Sequence, residues 1–134
     1  MKIAVRYYTR SGNTKRLADA IAKAVSADAR EVSEPLEERV DVLFLGCSYY
    51  AFDIDQAVKD FIVNNKDSIG RIVCFGTSAM MKSMVKPVRK VAKAVNVEVA
   101  DEDFHTRGQF GKLHKGRPND EDLASACEFA KRYI

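Results

Sequence analysis

The 134-residue chain is the length of one domain that buries roughly two-thirds of its unfolded surface, so it needs neither disulfides nor a metal to hold a core. At 46% hydrophobic and 31% charged residues it reads as neither disordered nor membrane-embedded, and no apolar run approaches the ~20 residues of a spanning helix. The net charge of +3, from 22 basic and 19 acidic residues, is small for a nucleic-acid binder, and no nucleic-acid recognition module accompanies it.

Residues 1–8 hold one Lys and lead into polar residues without a small-residue cleavage site, so the start is read as a strand over 3–8 rather than an export signal. Directly after it comes Thr9-Arg10-Ser11-Gly12-Asn13-Thr14, and then a helical pattern from near Lys15 with Leu17, Ile21 and Val25 on one face. Three hydroxyls, one glycine and the free N–H groups of a new helix meet there, where the helix dipole favours negative charge. Two readings stay open: a phosphate-cradling loop, or a capped strand-to-helix turn, for which Ser, Thr, Asn and Gly are ordinary residues. A weak strand over 29–32 follows. Residues 34–39 then form a link shorter than the usual dozen-residue parallel crossover, and a single helical turn from Pro35 is expected there.

Residues 40–47 and 69–76 are nearly continuous apolar runs, as strands buried on both faces require. Each is followed by a loop, 48–55 and 77–83. Each loop leads to a helix, the first with Ala57, Val58, Phe61 and Ile62 on one face, the second with Val85, Val88, Val91 and Val95. Cys47 and Cys74 fall inside the apolar runs and read as small buried hydrophobes. With Cys127 the cysteines are odd in number and lack Cys-x-x-Cys or zinc spacing, which fits a reducing cytoplasm. A second weak strand spans 97–104. The stretch 104–118 then gathers Arg107, Lys112, Lys115 and Arg117 around Phe110 and Leu113, and reads as a solvated basic loop or a docking surface for an acidic protein. His105 and His114 have no partner at metal-ligand spacing and are read as solvated loop residues, so no metal is expected. Asn119 caps the last helix, Asp120, Glu121 and Asp122 occupy its positive end, and Leu123, Ala126, Cys127 and Ala130 form its stripe.

Strand and helix alternate throughout, which implies one α/β domain over 1–134: a mostly parallel, doubly wound five-stranded sheet with helices on both faces. The C-terminal ends of the strands share one edge, so the loops 9–14, 48–55 and 77–83 should meet around one crevice.

These residues resemble the flavodoxins and flavodoxin-like proteins over nearly the whole chain. Thr9, Arg10, Ser11, Gly12, Asn13 and Thr14 match the family's phosphate loop position by position. Val40 to Tyr50, ending Gly-Cys-Ser-Tyr-Tyr, is similar to its third strand and the loop along the flavin ring, and Ile72-Val-Cys-Phe-Gly-Thr-Ser78 resembles its fourth strand and ring-contacting loop. The resemblance implies strand order 2-1-3-4-5 and an FMN held at the edge by residues 9–14, by Ser48, Tyr49, Tyr50, Ala51 and Phe52, and by Gly76, Thr77, Ser78 and Ala79. Hydroxyl and N–H donors suit the phosphate, and Tyr49, Tyr50 and Phe52 are aromatic candidates for the ring. Two departures stand out. The stretch Thr77-Ser78-Ala79-Met80-Met81-Lys82 has no aromatic where many flavodoxins place one, and the chain is basic where electron-carrying flavodoxins are acidic.

Other doubly wound families fit less well. Tyr7, Tyr8 and Thr9 stand where a phosphorelay receiver needs an acidic pair, no cysteine is followed six positions later by Arg, and no Walker loop is present. The resemblance therefore implies a cytoplasmic FMN electron carrier with no catalytic side chain, working between a reductase and an acceptor protein as a monomer or weak dimer. Two alternatives remain at this level: an FMN-dependent reductase taking hydride from NAD(P)H for a quinone or similar small acceptor, and a regulatory or assembly domain of this fold without flavin.

Overall fold

The computed structural model describes residues 1–50, 53–78, 83–108 and 114–134, and the side chains of all of these except 48–50. Its elements in chain order are β1 (Ile3–Tyr7), α1 (Asn13–Ala24), β2 (Ala29–Glu31), β3 (Val40–Tyr50), β4 (Asp53–Ile54), α2 (Gln56–Asn64), β5 (Ile69–Ser78), α3 (Val85–Ala94), β6 (Glu98–Val99), β7 (Phe104–Arg107) and α4 (Asp120–Lys131). The parallel order is β2-β1-β3-β5-β6, with β7 also paired to β5. This is the doubly wound α/β architecture read from the sequence, in the strand order the resemblance implies, its fifth strand supplied in two pieces.

Period-two alternation explains why the central strands are apolar on nearly every residue. Leu43, Leu45 and Cys47 of β3, with Ile72 and Cys74 of β5, pack on one face against Val58, Phe61 and Ile62 of α2 and Val85, Val88 and Ala92 of α3. Their neighbours Val42, Phe44, Val73 and Phe75 turn to the other face, where Leu17, Ile21, Ala126 and Phe129 of α1 and α4 cover them. Each fully buried Leu, Ile or Phe contributes about 1.5–3 kcal/mol, so the two faces together supply the folding drive. Burial pushes the Cys47 thiol up to about 12 and raises that of Cys74 as well, so both are inert core residues.

Several expectations are corrected. No helical turn forms at Pro35. The link from β2 to β3 runs as turns and bends, because side chains take up its backbone groups in place of helical amides. Buried Arg6 donates from Nε to the Glu34 carbonyl at 3.0 Å and from Nη2 to the Pro35 carbonyl at 3.3 Å, while the Leu36 N–H donates to Asn65 Oδ1 at 3.0 Å. The strands expected to end at 47 and 76 continue to Tyr50 and Ser78: Ser48 stays in register with Thr77, and Tyr49 and Tyr50 pair antiparallel with Ile54 and Asp53. The strand expected over 97–104 breaks after Val99. Asp101 and Glu102 turn outward to meet Arg89 and Arg132, while half-buried Asp103 accepts from Ser83 Oγ. His105 is no loop residue but lies half-buried in β7. The α4 capping box between Asn119 and Asp122 is present, yet Phe129 replaces Leu123 and Cys127 as a main inward residue, stacking between Phe104 and Tyr133 at centroid distances of 6.0 and 5.3 Å.

Candidate functional site at the C-terminal edge of the sheet

The connection from β1 to α1 is anchored at both ends. The Tyr8 N–H donates to the Gly46 carbonyl of β3 at 3.0 Å, and Thr9 Oγ1 accepts from the Gly12 N–H at 3.0 Å, closing a tight turn on itself. Gly12 is the N-cap of α1 at φ 88°, a left-handed conformation that a glycine adopts without steric cost. It provides no side-chain cap, and the first turn of α1 carries no acidic residue. The positive end of the helix dipole therefore faces the edge with Ser11 exposed at the tip of the turn.

Thr14 is fully buried, and its Oγ1 lies 3.1 Å from Thr77 Oγ1. That bond joins the first turn of α1 to the last turn of the β5 ladder, so two of the sequence-predicted segments meet through their hydroxyls. Arg10 reaches the other way: its Nη2 donates to Asp55 Oδ2 at 2.7 Å. Asp55 caps α2, its other oxygen accepting from the Ala57 N–H at 3.0 Å. These two bonds, the Ala57 amide first and Arg10 second, hold the Asp55 carboxyl below the usual carboxylate range. The strap thus ties the turn after β1 to the segment after β4.

A fourth segment, which the sequence reading missed, completes the edge. A Cβ on Gly108, just past β7, would lie 2.7 Å from Asn13 Nδ2 and 3.1 Å from Thr77 Cβ, so the chain passes close against both side chains there. The signal was the alternation Phe104-His105-Thr106-Arg107 ahead of a glycine, in which Phe104 and Thr106 share one face. His105 points to the opposite face from Phe104. Its Nε2 is buried and has no hydrogen-bond partner among the described residues, and burial followed by the Arg107 charge lowers its pKa to about 4.

Of the residues expected at the site, Thr9, Arg10, Ser11, Gly12, Asn13, Thr14, Gly76, Thr77 and Ser78 gather at this edge. Ser48, Tyr49 and Tyr50 reach it in the backbone of β3, and Ala51, Phe52 and Ala79 lie outside the described residues. The donor set fits a phosphate group: a helix N-terminus, a glycine turn with nothing within 4 Å of where a Cβ would stand, and the exposed Ser11 hydroxyl, with the neighbouring carboxylate Asp55 neutralised by Arg10.

Comparisons with known proteins bear on the fold. No family model matches the chain. Over 135 aligned residues it is 30% identical to the uncharacterized protein MJ0298 of Methanocaldococcus jannaschii, with 91% of this chain and 90% of that protein covered. Among solved structures it is similar to a flavodoxin from the domain Archaea, with TM-score 0.78 at 16% identity over 97% of this chain and 94% of the other. It is also similar to a flavoprotein in complex with FMN from Lactobacillus acidophilus, with TM-score 0.64 at 16% identity over 79% of this chain and 92% of the other.

Proposed function

The chain belongs to the family of the Methanocaldococcus jannaschii protein and has the flavodoxin-like fold, and from that premise we propose that it binds one FMN non-covalently and carries electrons between partner proteins. The observation that carries this reading is the turn at Gly12, which leaves the N-terminus of α1 without a side-chain cap or an acidic residue at the strand edge where the fold has its topological switch point. The turn from Thr9 to Gly12 and the N-terminus of α1 would hold the phosphate, with the Ser11 hydroxyl as a donor. The backbone from Ser48 to Tyr50 and from Gly76 to Ser78 would flank the ring. Bound FMN would supply one- and two-electron redox chemistry. The chain's own task is then binding and orientation. Thr14 and Thr77 lock the turn to β5, and the Arg10–Asp55 strap fixes the segment leading into α2. No side chain is required to act as acid, base or nucleophile.

A visible absorption spectrum tests this directly. Protein mixed with excess FMN and then desalted is expected to retain one flavin per chain, with a band that dithionite bleaches. A desalted protein with no flavin band would overturn the reading, and the turn at 9–14 would be an ordinary capped connection. If flavin is retained, a carrier should oxidise NADPH poorly without a partner reductase, whereas rapid unaided turnover with a quinone would make the protein a reductase.

A further inference from the structure

Helix α3 breaks two local rules at once. Its charged residues, Lys86, Arg89, Lys90 and Lys93, are all basic, all exposed and spaced i, i+3, i+4, i+7, so they share one face about 10 Å long. Neighbours at these spacings repel, and Lys86 stands in the first turn, where the helix dipole disfavours positive charge. The other helices mix signs: Lys15 pairs with Asp19 on α1, α2 carries Lys59 beside Asp60, and α4 is mostly acidic. On α3 only Arg89 has an ion-pair partner, Asp101 at 3.0 Å, and Lys86, Lys90 and Lys93 make no ion pair among the described residues. The inner face is ordinary core, with Val85, Val88 and Ala92 buried, so packing does not demand the charges opposite. Local rules broken together without a structural gain mark a surface kept for another purpose.

The N-terminal end of this helix, which carries Lys86, lies at the C-terminal edge of the sheet. The core under α3 includes Ile54 of β4, and Met84, the N-cap of α3, packs against Gly76 at the end of β5. Asp53 of β4, bonded to Lys59 at 2.6 Å, also feels the charge of Lys90. We propose that the exposed face of α3 is the docking surface for a carboxylate-rich partner protein, which it steers to the strand edge at the end of β5. The partner's chemistry follows from charge complementarity. Lysines set singly along a short helix match a few point carboxylates, while a net charge of only +3 over the chain is small against a nucleic-acid backbone, whose charges recur every ~1.7 Å. As an encounter with an electron donor or acceptor this rests on the FMN reading, but the binding itself does not.

The test uses a fluorescein-labelled octa-glutamate peptide as the acidic probe, followed by anisotropy at low and at physiological salt, on protein with and without FMN. Lys86→Glu/Lys93→Glu is compared with Arg16→Glu/Lys23→Glu, which removes the same charge from exposed positions on α1. The α3 variant should bind the peptide about tenfold more weakly and lose most of the salt dependence, while the α1 variant changes less than about twofold. Lys86→Gln/Lys93→Gln, gentler on the helix, should give an intermediate loss. Equal losses in the α3 and α1 variants would reduce the effect to net charge and overturn the proposal. So would tighter binding of a labelled eight-nucleotide DNA strand than of the peptide, or of vesicles rich in phosphatidylserine. Sedimentation showing self-association abolished by the α3 variant would make the occupant a second copy and overturn it too. Retained flavin with no α3 dependence sinks the docking surface alone, and α3-dependent binding by protein that retains no flavin sinks the FMN reading alone.

Discussion

Gly12→Ala isolates the backbone geometry on which the proposed phosphate site rests. At φ 88° and ψ −6°, with nothing within 4 Å of where the new methyl would stand, the substitution adds no clash and removes no contact. What remains is left-handed strain of about 1–2 kcal/mol, offset in part by the lower entropy of the unfolded chain, worth about 0.4–1 kcal/mol. The net loss should be near 1 kcal/mol. With an m-value of about 1–3 kcal/mol/M, the urea midpoint should fall by about 0.3–1 M without a change in slope. The measurement belongs on flavin-free protein, since a ligand bound only to the folded state would add its own stabilisation. Gly12→Asn should recover most of the loss, because Asn tolerates this region far better than Ala. Gly116, at φ 77° and equally open, lies outside the turn, and Gly116→Ala should cost about the same stability. Should Gly12→Ala match the wild type, or Gly12→Asn lose as much as the Ala variant, the strained-turn argument fails.

Arg6→Met should destabilise the protein by about 2 kcal/mol in urea titrations, because it strips the donors from the Glu34 and Pro35 carbonyls of the β2 to β3 link, and a loss under 0.5 kcal/mol would show that water replaces them. His105 is held neutral in the fold to about 4, while the unfolded chain takes its proton near 6.5. Its contribution to stability is therefore complete above about 6.5 and lost as the pH falls toward 4. His105→Leu should flatten that slope, and an imidazole NMR midpoint near 6.5 in the wild type would contradict the assignment. Ser11→Ala should weaken FMN binding about 10- to 150-fold with little change in flavin-free stability. Thr14→Val should instead cost the flavin-free protein about 1 kcal/mol through its lost bond to Thr77, and an affinity loss without a stability loss would place Thr14 on the ligand rather than in the frame.

The sheet and its two covering layers were legible in the chain because their causes are local and periodic. Continuous apolar runs at β3 and β5 allow burial on both faces, and stripes such as Val58, Phe61 and Ile62 allow a helix only one way to turn. The Asn119 cap of α4 and its acidic first turn were legible for the same reason, lying within a few residues of one another. The turn at residues 9–14 could be placed, but its chemistry could not be divided among its hydroxyls. Thr14 and Ser11 look alike in sequence. Only the approach of Thr77, 63 residues away, makes one a strut and leaves the other exposed. Arg10 likewise gives no sign in the sequence of its ion pair with Asp55, 45 residues on and 2.7 Å away.

By itself, then, the sequence determined the alternation of elements, a mostly parallel sheet and the edge at which the loops converge, since these follow from hydrophobic period and chain connectivity, while the strand order came with the family resemblance. The tertiary structure decided where the strands stop, why no helical turn forms at Pro35, how His105 is buried, and which polar side chains face the crevice rather than each other. Those outcomes depend on pairings between residues far apart in the chain, whose energies exist only once folding has brought the partners within reach.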